Sequence, residues 1–279
     1  MKNKNTLLVG LLCILLSACS TTKNLPEGEI LYTGIEKLEV VNEDKTLAGV
    51  TALTEVEAAL AYAPNNAILG SSSLRWPIPF GLWVYNGFEK YQDKKGVGRW
   101  IFDHLGKSPV LMSSVNGETR AKVATNLLHD YGYFNGSVSY KEVPQKNPKE
   151  AKVSYVIDMA RPYFLDSIAY LKYPHYADSL IQSTRSQSVL KSGENFSVIK
   201  LEEERQRLSN LFRNHGYYYY RPEFTTFRAD TLQRPGYVSL QVLPTRRSRN
   251  VEQVQRRLCC FRSLVLYIQW IQFLFWDQF

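Results

Sequence analysis

The sequence predicts an α+β fold of tandem β-α-α-β-β modules, each a small three-stranded mixed sheet with two helices on one face. Three observations predict it. Residues 126–140, "NLLHDYGYFNGSVSY", align without a gap to residues 210–224, "NLFRNHGYYYYRPEF", at an offset of 84. The match pairs Asn126 with Asn210, Leu127 with Leu211, Gly132 with Gly216 and Tyr133 with Tyr217. Before each glycine runs a helical pattern, with apolar residues on one stripe. After each glycine come an extended segment, a polar turn and a second extended segment.

The elements follow in order. In the first copy Leu38–Val41 reads as a strand ahead of the first helical region. Ala121, Ala124, Leu127, Leu128 and Tyr131 then form the stripe of its second helix. Gly132 closes that helix as a structural turn, because glycine enters the left-handed region without a Cβ penalty. Strands are predicted at 137–143 and 153–157, joined through Pro144 and Pro148.

The second copy repeats the order. A strand at 163–171 leads to a helix at 176–190. A second helix follows, striped by Val198, Leu201, Leu208, Leu211 and Phe212, and Gly216 closes it. Glu203 and Arg207 stand four apart in the favourable order. The run Glu202-Glu203-Glu204 reads as a solvated face that pairs with Arg205 and Arg207. His215, at the helix end, meets the negative pole of the helix. Strands are predicted at 224–227 and 237–243.

Strand side chains alternate between faces. In the first copy Phe134, Gly136, Val138 and Tyr140 fall on the mainly apolar side, and Asn135, Ser137, Ser139 and Lys141 on the polar side. Carried to the second copy, the alternation sends Tyr218, Tyr220 and Phe224 to the core. It sends Tyr217, Tyr219, Arg221 and Glu223 outward. Those four, with Tyr133 and Asn135, are the expected client or partner contacts. Pro222 marks an edge or a strand start, since it cannot donate to a ladder.

The chain begins MKNKNTLLVGLLCILLSACS. Lys2 and Lys4 precede an apolar run, Leu7–Leu16, that is shorter than the roughly 20 residues a spanning helix needs and has the length of a signal-peptide core. Leu16-Ser17-Ala18-Cys19 is a lipobox, so residues 1–18 are expected to be removed and Cys19 to carry lipid. Several acyl chains anchor a protein without a spanning helix. Ser20, not Asp, follows Cys19, which in the enteric sorting rule favours the outer membrane, and the expected orientation faces the periplasm. Cys13 leaves with the signal, and Cys259 and Cys260 are adjacent, so no disulfide framework forms.

The net charge is +8, part of it from six arginines between Arg246 and Arg262. A basic balance suits nucleic acid or an anionic membrane surface. Behind an export signal the membrane is the expected partner and nucleic acid is not. No catalytic set is seen. His104, His129, His175 and His215 stand apart, "GVG" at 96–98 is a lone turn signal, and no zinc spacing occurs. No metal and no cofactor other than the lipid on Cys19 is expected, and the chain is not expected to be an enzyme.

The module order, with "GY" closing each second helix, resembles the POTRA module of the BamA/TamA outer-membrane assembly factors, over roughly residues 29–245. "LPEGEILYTG" (25–34), "APNNAILG" (63–70), "GLWVYN" (81–86), "GKSPVL" (106–111) and "LEEERQRLSNLFRNHGYYYY" (201–220) are similar to the Bacteroidota branch of that family, whose members begin with a lipoprotein signal. The resemblance implies domains at 29–160 and 161–245, after a tether at 19–28. It implies unfolded outer-membrane proteins as clients, docked by pairing with strand edges, and assembly lipoproteins as partners. A second reading is a lipid-anchored scaffold that docks folded proteins through an aromatic insertion at about 64–107. Whether 29–160 is one decorated module or two merged ones stays open.

The family continues into a transmembrane barrel, whereas this chain stops at Phe279. Residues 246–279 change character, with an arginine run and then "SLVLYIQWIQFLFWDQF". Three readings stand side by side: a frameshifted start of the barrel, an interfacial basic-aromatic segment, or a docking segment.

Overall fold

The computed structural model describes residues 21–245, apart from Leu69 and Ser73. The signal peptide, Cys19 and the 246–279 tail lie outside the described residues. The chain divides into two compact units. Among the described residues, the first runs to Leu128 and resumes at Asn135–Ala160; the second holds His129–Phe134 and the chain from Arg161 on.

In the first unit, β1 (Leu31–Val41), β2 (Ser137–Pro144) and β3 (Glu150–Asp158) form a sheet in the order β1-β3-β2. β1 runs parallel to β3 and β2 antiparallel to it. Helix α1 (Leu47–Leu60) follows β1, and its N-cap Thr46 accepts the Gly49 N–H at 3.1 Å, satisfying one of the donors a helix start leaves unpaired. Helix α2 (Phe80–Phe88), helix α3 (Val97–Leu105) and the short α4 (Met112–Val115) interrupt the module before α5 (Gly117–Asp130). One three-stranded sheet therefore serves all the described residues of 29–160. Val56, Leu60, Leu128, Val153 and Ile157 are fully buried between sheet and helices. The opposite face of β3 is left partly open at Lys152, Ser154 and Val156.

The second unit repeats the plan. β4 (Phe164–Tyr170), β5 (Thr225–Asp230) and β6 (Tyr237–Pro244) take the order β4-β6-β5, again with one parallel and one antiparallel pair. Helices α6 (His175–Ser183) and α7 (Val198–Asn214) complete it. Ile181, Leu208, Phe212 and Val242 form one core cluster, and Leu165, Phe196, Val238 and Leu240 a second.

Three element boundaries differ from expectation, each for a local reason. β1 begins at Leu31 rather than Leu38. Gly34, Glu36 and Lys37 interrupt the apolar pattern, and register shifts between Tyr32 and Lys37 let the parallel ladder pass over them. α6 stops at Ser183 rather than continuing to Leu190. The Ser183 and Thr184 hydroxyls both donate to Leu180 O at 2.9 Å, a back-bonding that competes with further helix. β5 starts at Thr225 because Pro222–Phe224 forms a 3-10 turn.

The four tyrosines are the main correction. They are a turn, not a strand. Gly216 takes φ +97°, and the Tyr217 N–H reaches back to Phe212 O at 3.0 Å. This is a helix-ending motif in which the residue after glycine packs on the last helical turn. Tyr217 is accordingly buried, with its ring 5.4 Å from Phe212 and stacked 6.4 Å from Tyr176. The Tyr220 N–H then donates to Tyr217 O at 2.9 Å, so Tyr218 and Tyr219 occupy the turn corners, 64% and 70% exposed. Tyr220 is buried 4.6 Å from Phe212, and its hydroxyl lies 2.8 Å from Thr225 Oγ1. The expected outward Tyr217 and inward Tyr218 are thus reversed. The first copy has the same device: Gly132 takes φ +89°, and Tyr133, expected outward, is fully buried. A Cβ on Gly132 would also meet Phe196 O at 2.6 Å.

The acidic run is the second correction. Glu202 pairs with Arg205 at 2.9 Å on the surface, but Glu204 is fully buried. Arg207 therefore pairs with Glu204, not with Glu203, through two bonds of 2.9 and 2.6 Å. Glu204 also accepts from the Tyr170 hydroxyl at 2.7 Å and the Val189 N–H at 3.1 Å. Burial pushes the Tyr170 hydroxyl up to about 12. A buried carboxylate is tolerable only when its oxygens are satisfied this fully.

Candidate functional site

A three-stranded sheet has two edges, each a row of backbone groups that another strand can extend. In both units the first strand's edge is partly occupied. Tyr32 N–H of β1 donates to Val110 O at 2.8 Å, and Met112 N–H to Ile30 O at 2.9 Å. In β4, Leu165 N–H donates to Glu194 O and Phe196 N–H to Tyr163 O, both at 2.8 Å. Further along, Arg185 Nη2 donates to Ile168 O at 2.9 Å. A hollow of ≈ 470 Å³ lies between β1 and α1, reached by Ile35, Glu57 and Arg75. Its strand is irregular there, since two register shifts fall between Tyr32 and Lys37. Such an edge cannot offer an even ladder.

β2 offers one. Val138 N–H points away from β3 and is received by Thr125 Oγ1 of α5 at 2.9 Å. Thr125 in turn donates to Ala121 O at 2.9 Å. In an antiparallel pair the outward- and inward-facing residues alternate. Tyr140 and Glu142 therefore direct their main-chain groups outward, as Val138 does. Beside this edge runs a groove of ≈ 390 Å³ between β2 and α5, lined by Ala121, Thr125, Asn126, Val138 and Tyr140. Gly117 shapes it, since a Cβ there would stand 2.8 Å from the Tyr140 ring. Glu118 and Lys122 close one side as an exposed pair at 2.6 Å. Their hydrogen bond lowers the Glu118 carboxyl and raises the Lys122 ammonium from their ordinary values. The groove thus presents paired charge beside an apolar floor.

In the second unit a side chain occupies the corresponding place. Counted from the parallel pairs Leu31↔Glu150 and Phe164↔Tyr237, Tyr140 corresponds to Phe227, not to Phe224. The ungapped alignment holds through the helices and then slips by three residues, the length of the 3-10 turn 222–224. Ala121 corresponds to Arg205, whose guanidinium lies 5.1 Å from the centre of the Phe227 ring. That side chain covers the ground left open in the first unit.

The expected contact residues are therefore not brought together. Tyr133 and Tyr217 are buried parts of helix ends. Asn135 is exposed two residues before β2. Tyr219, Arg221 and Glu223 are exposed around the turn and the 3-10 segment of the second unit. Thr125, Ala121 and Gly117, which build the groove, were not singled out as contacts. Small residues on a helix stripe carry no signal distinguishing close packing from a deliberate gap. Among the described residues no group of three or more His, Cys, Asp or Glu could hold a metal ion. No helix among them is long and apolar enough to cross a membrane.

No family model matches the chain, and no curated protein sequence matches it. Solved structures do. A BamA from Haemophilus ducreyi lacking POTRA domains 1–3 is 12% identical over 58% of this chain, with a TM-score of 0.33. The chain spans only 26% of that protein's length. POTRA domains 3–5 of Haemophilus influenzae BamA are 10% identical over 80% of this chain and 99% of theirs, with a TM-score of 0.31. POTRA domains 1–2 of the periplasmic domain of Omp85 from Anabaena are 14% identical over 79% of this chain and 98% of theirs, with a TM-score of 0.27.

Proposed function

We propose that this chain is a lipid-anchored, periplasm-facing POTRA protein of outer-membrane protein assembly, of the Bacteroidota type, which holds extended β-rich client segments on β2. The observation that carries the proposal is the β2 edge. The outward main-chain groups of Tyr140 adjoin an open groove, those of Glu142 continue the edge, and Thr125 shields Val138 at the strand's start. Added strands gain affinity from main-chain bonds and gain selectivity from pockets for alternate side chains. The groove supplies one such pocket. Unfolded outer-membrane proteins, built of segments about ten residues long that alternate apolar and polar, fit this chemistry. Acylation of Cys19 places the chain at the membrane where such clients are inserted, beside the lipoproteins that serve assembly. The role asks only for binding, and no catalytic step is part of it.

A fluorescent peptide of about ten alternating residues titrated with the full chain tests the reading. Saturable binding that Ala121→Arg lowers at least tenfold is the expected result. No binding, or binding indifferent to Ala121→Arg, sinks it.

A further inference from the structure

Helix α3 carries an apolar face that the protein does not cover. With 3.6 residues per turn, Val97, Trp100, Ile101, His104 and Leu105 fall on one broad stripe. Val97 is 75% exposed, Trp100 57% and Leu105 43%, and no residue of the helix is buried. The inward contact is Phe102, whose ring lies 5.2 Å from Tyr85 of α2. Arg99 and Asp103 pair at 3.3 Å on the polar side. Exposed Lys94, Lys95 and Lys107 flank the stripe. Trp100 and His104 stack at 4.9 Å, holding two amphipathic rings side by side. The same insertion exposes Leu74, Trp76 and Phe80, each above 60%. A helix with an apolar stripe, a charged face and flanking cations has the character of one lying in a membrane interface, and tryptophan favours that depth.

The N-terminal segment says what covers it. Asn86 of α2 donates to Thr21 O at 3.2 Å, and Asn24 Nδ2 donates to Asn86 O at 3.3 Å. Asn24 bonds to Glu89 as well. The chain is therefore fastened to α2 from Thr21 onward, and Cys19 lies two residues earlier, a reach of at most about 7 Å. Lipid on Cys19 brings the bilayer to α2, and α2 is joined to α3 by Tyr85–Phe102 and by the Lys107 N–H to Gly81 O bond of 2.9 Å. We infer that the stripe of α3, together with the exposed Trp76 of the same insertion, is a bilayer-contact surface that lies flat on anionic headgroups and fixes how the lipid-anchored chain stands on the membrane. The inference rests on the lipid-anchor reading for its geometry. It assigns the aromatic insertion to lipid rather than to a folded partner.

The test uses the full chain with Trp270→Phe and Trp276→Phe, so that Trp76, Trp83 and Trp100 remain. It is mixed with vesicles of phosphatidylethanolamine and phosphatidylglycerol bearing brominated acyl chains. Emission is expected to shift to the blue and to fall at least twofold, and adding Trp76→Phe and Trp100→Phe should abolish both changes. Mass spectrometry of the N-terminal peptide reads the anchor separately. Vesicle-bound lipoprotein whose Trp76 and Trp100 are unquenched overturns the inference and leaves the anchor standing. Quenching in a chain without lipid on Cys19 does the reverse. Absence of quenching overturns the inference in either case, as does a blue shift that appears without vesicles and grows with protein concentration, which would assign the stripe to a second copy of the chain.

Discussion

At the helix position facing the outer strand, the first unit has Ala121 and the second has Arg205. The preceding residue differs as sharply: Arg120 in the first unit stands where Glu204 stands in the second. Arg120 donates to Ala59 O at 3.0 Å and to Val115 O at 2.9 Å, fastening α5 to the C-terminal end of α1, where the helix dipole favours a cation. Glu204 accepts the Val189 N–H and the Tyr170 hydroxyl, fastening α7 to the connection after α6 and to β4. The two units thus anchor their second helix from the same position with opposite charges. They keep one topology, and the ground that is a groove beside the outer strand of the first unit carries the Arg205 guanidinium over Phe227 in the second.

The largest expected effect probes the ties. Glu204→Ala strands Arg207 and is expected to cost the second unit about 3–5 kcal/mol. Arg120→Ala, which removes bonds nearer the surface, should cost about 1–3 kcal/mol. Urea unfolding of the full chain reads both. Equal losses would break the contrast between a buried tie and a half-exposed one.

The tyrosine turn gives the next effect. Tyr220→Ala and Tyr217→Ala should each cost about 3 kcal/mol, as buried aromatics do. Tyr218→Ala and Tyr219→Ala should stay within about 0.5 kcal/mol. Losses that alternate along 217–220 would restore a strand and refute the turn.

The grooves themselves come third. Ala121→Arg should lower peptide binding about tenfold, or roughly 1.4 kcal/mol. Arg205→Ala in the second unit uncovers Phe227 and should create weak binding where the wild-type unit has none. Binding retained by Ala121→Arg would show that the difference between the units has no bearing on clients.

The smallest difference is expected at alkaline pH. Burial pushes the hydroxyls of Tyr32 in the first unit and Tyr170 in the second up to about 12, from an ordinary 10.0. The native state therefore holds these protons where the unfolded chain has released them. Stability is complete below about pH 10 and falls as pH rises towards 12. Both units should lose stability in that same window, followed by phenolate absorbance together with circular dichroism. Unfolding of one unit well before the other would separate them.

The helices were legible because their stripes are regular: Ala121, Ala124 and Leu128, or Leu201, Leu208 and Phe212, recur at helical spacing and are buried as expected. Gly132 and Gly216 were legible as left-handed turns for the same local reason. The slip of three residues after Gly216 was not, because Pro222 suits a strand start and a 3-10 turn equally well. Glu204 read as solvent-facing beside Glu202 and Glu203. What distinguishes it is Tyr170 and Val189, which approach from 34 and 15 residues away.

The sequence by itself determined the repeat, the order of elements in the second module, and the glycines Gly132 and Gly216 that end the last helix of each copy. Those features follow from periodicity and from glycine's freedom of φ, both properties of neighbouring residues. Only the tertiary structure decided which strand edge stands open, which carboxylate is buried and which tyrosines face solvent. Each of these depends on side chains that meet across the sheet, such as Arg205 over Phe227 or Thr125 against Val138, and no local pattern records those meetings.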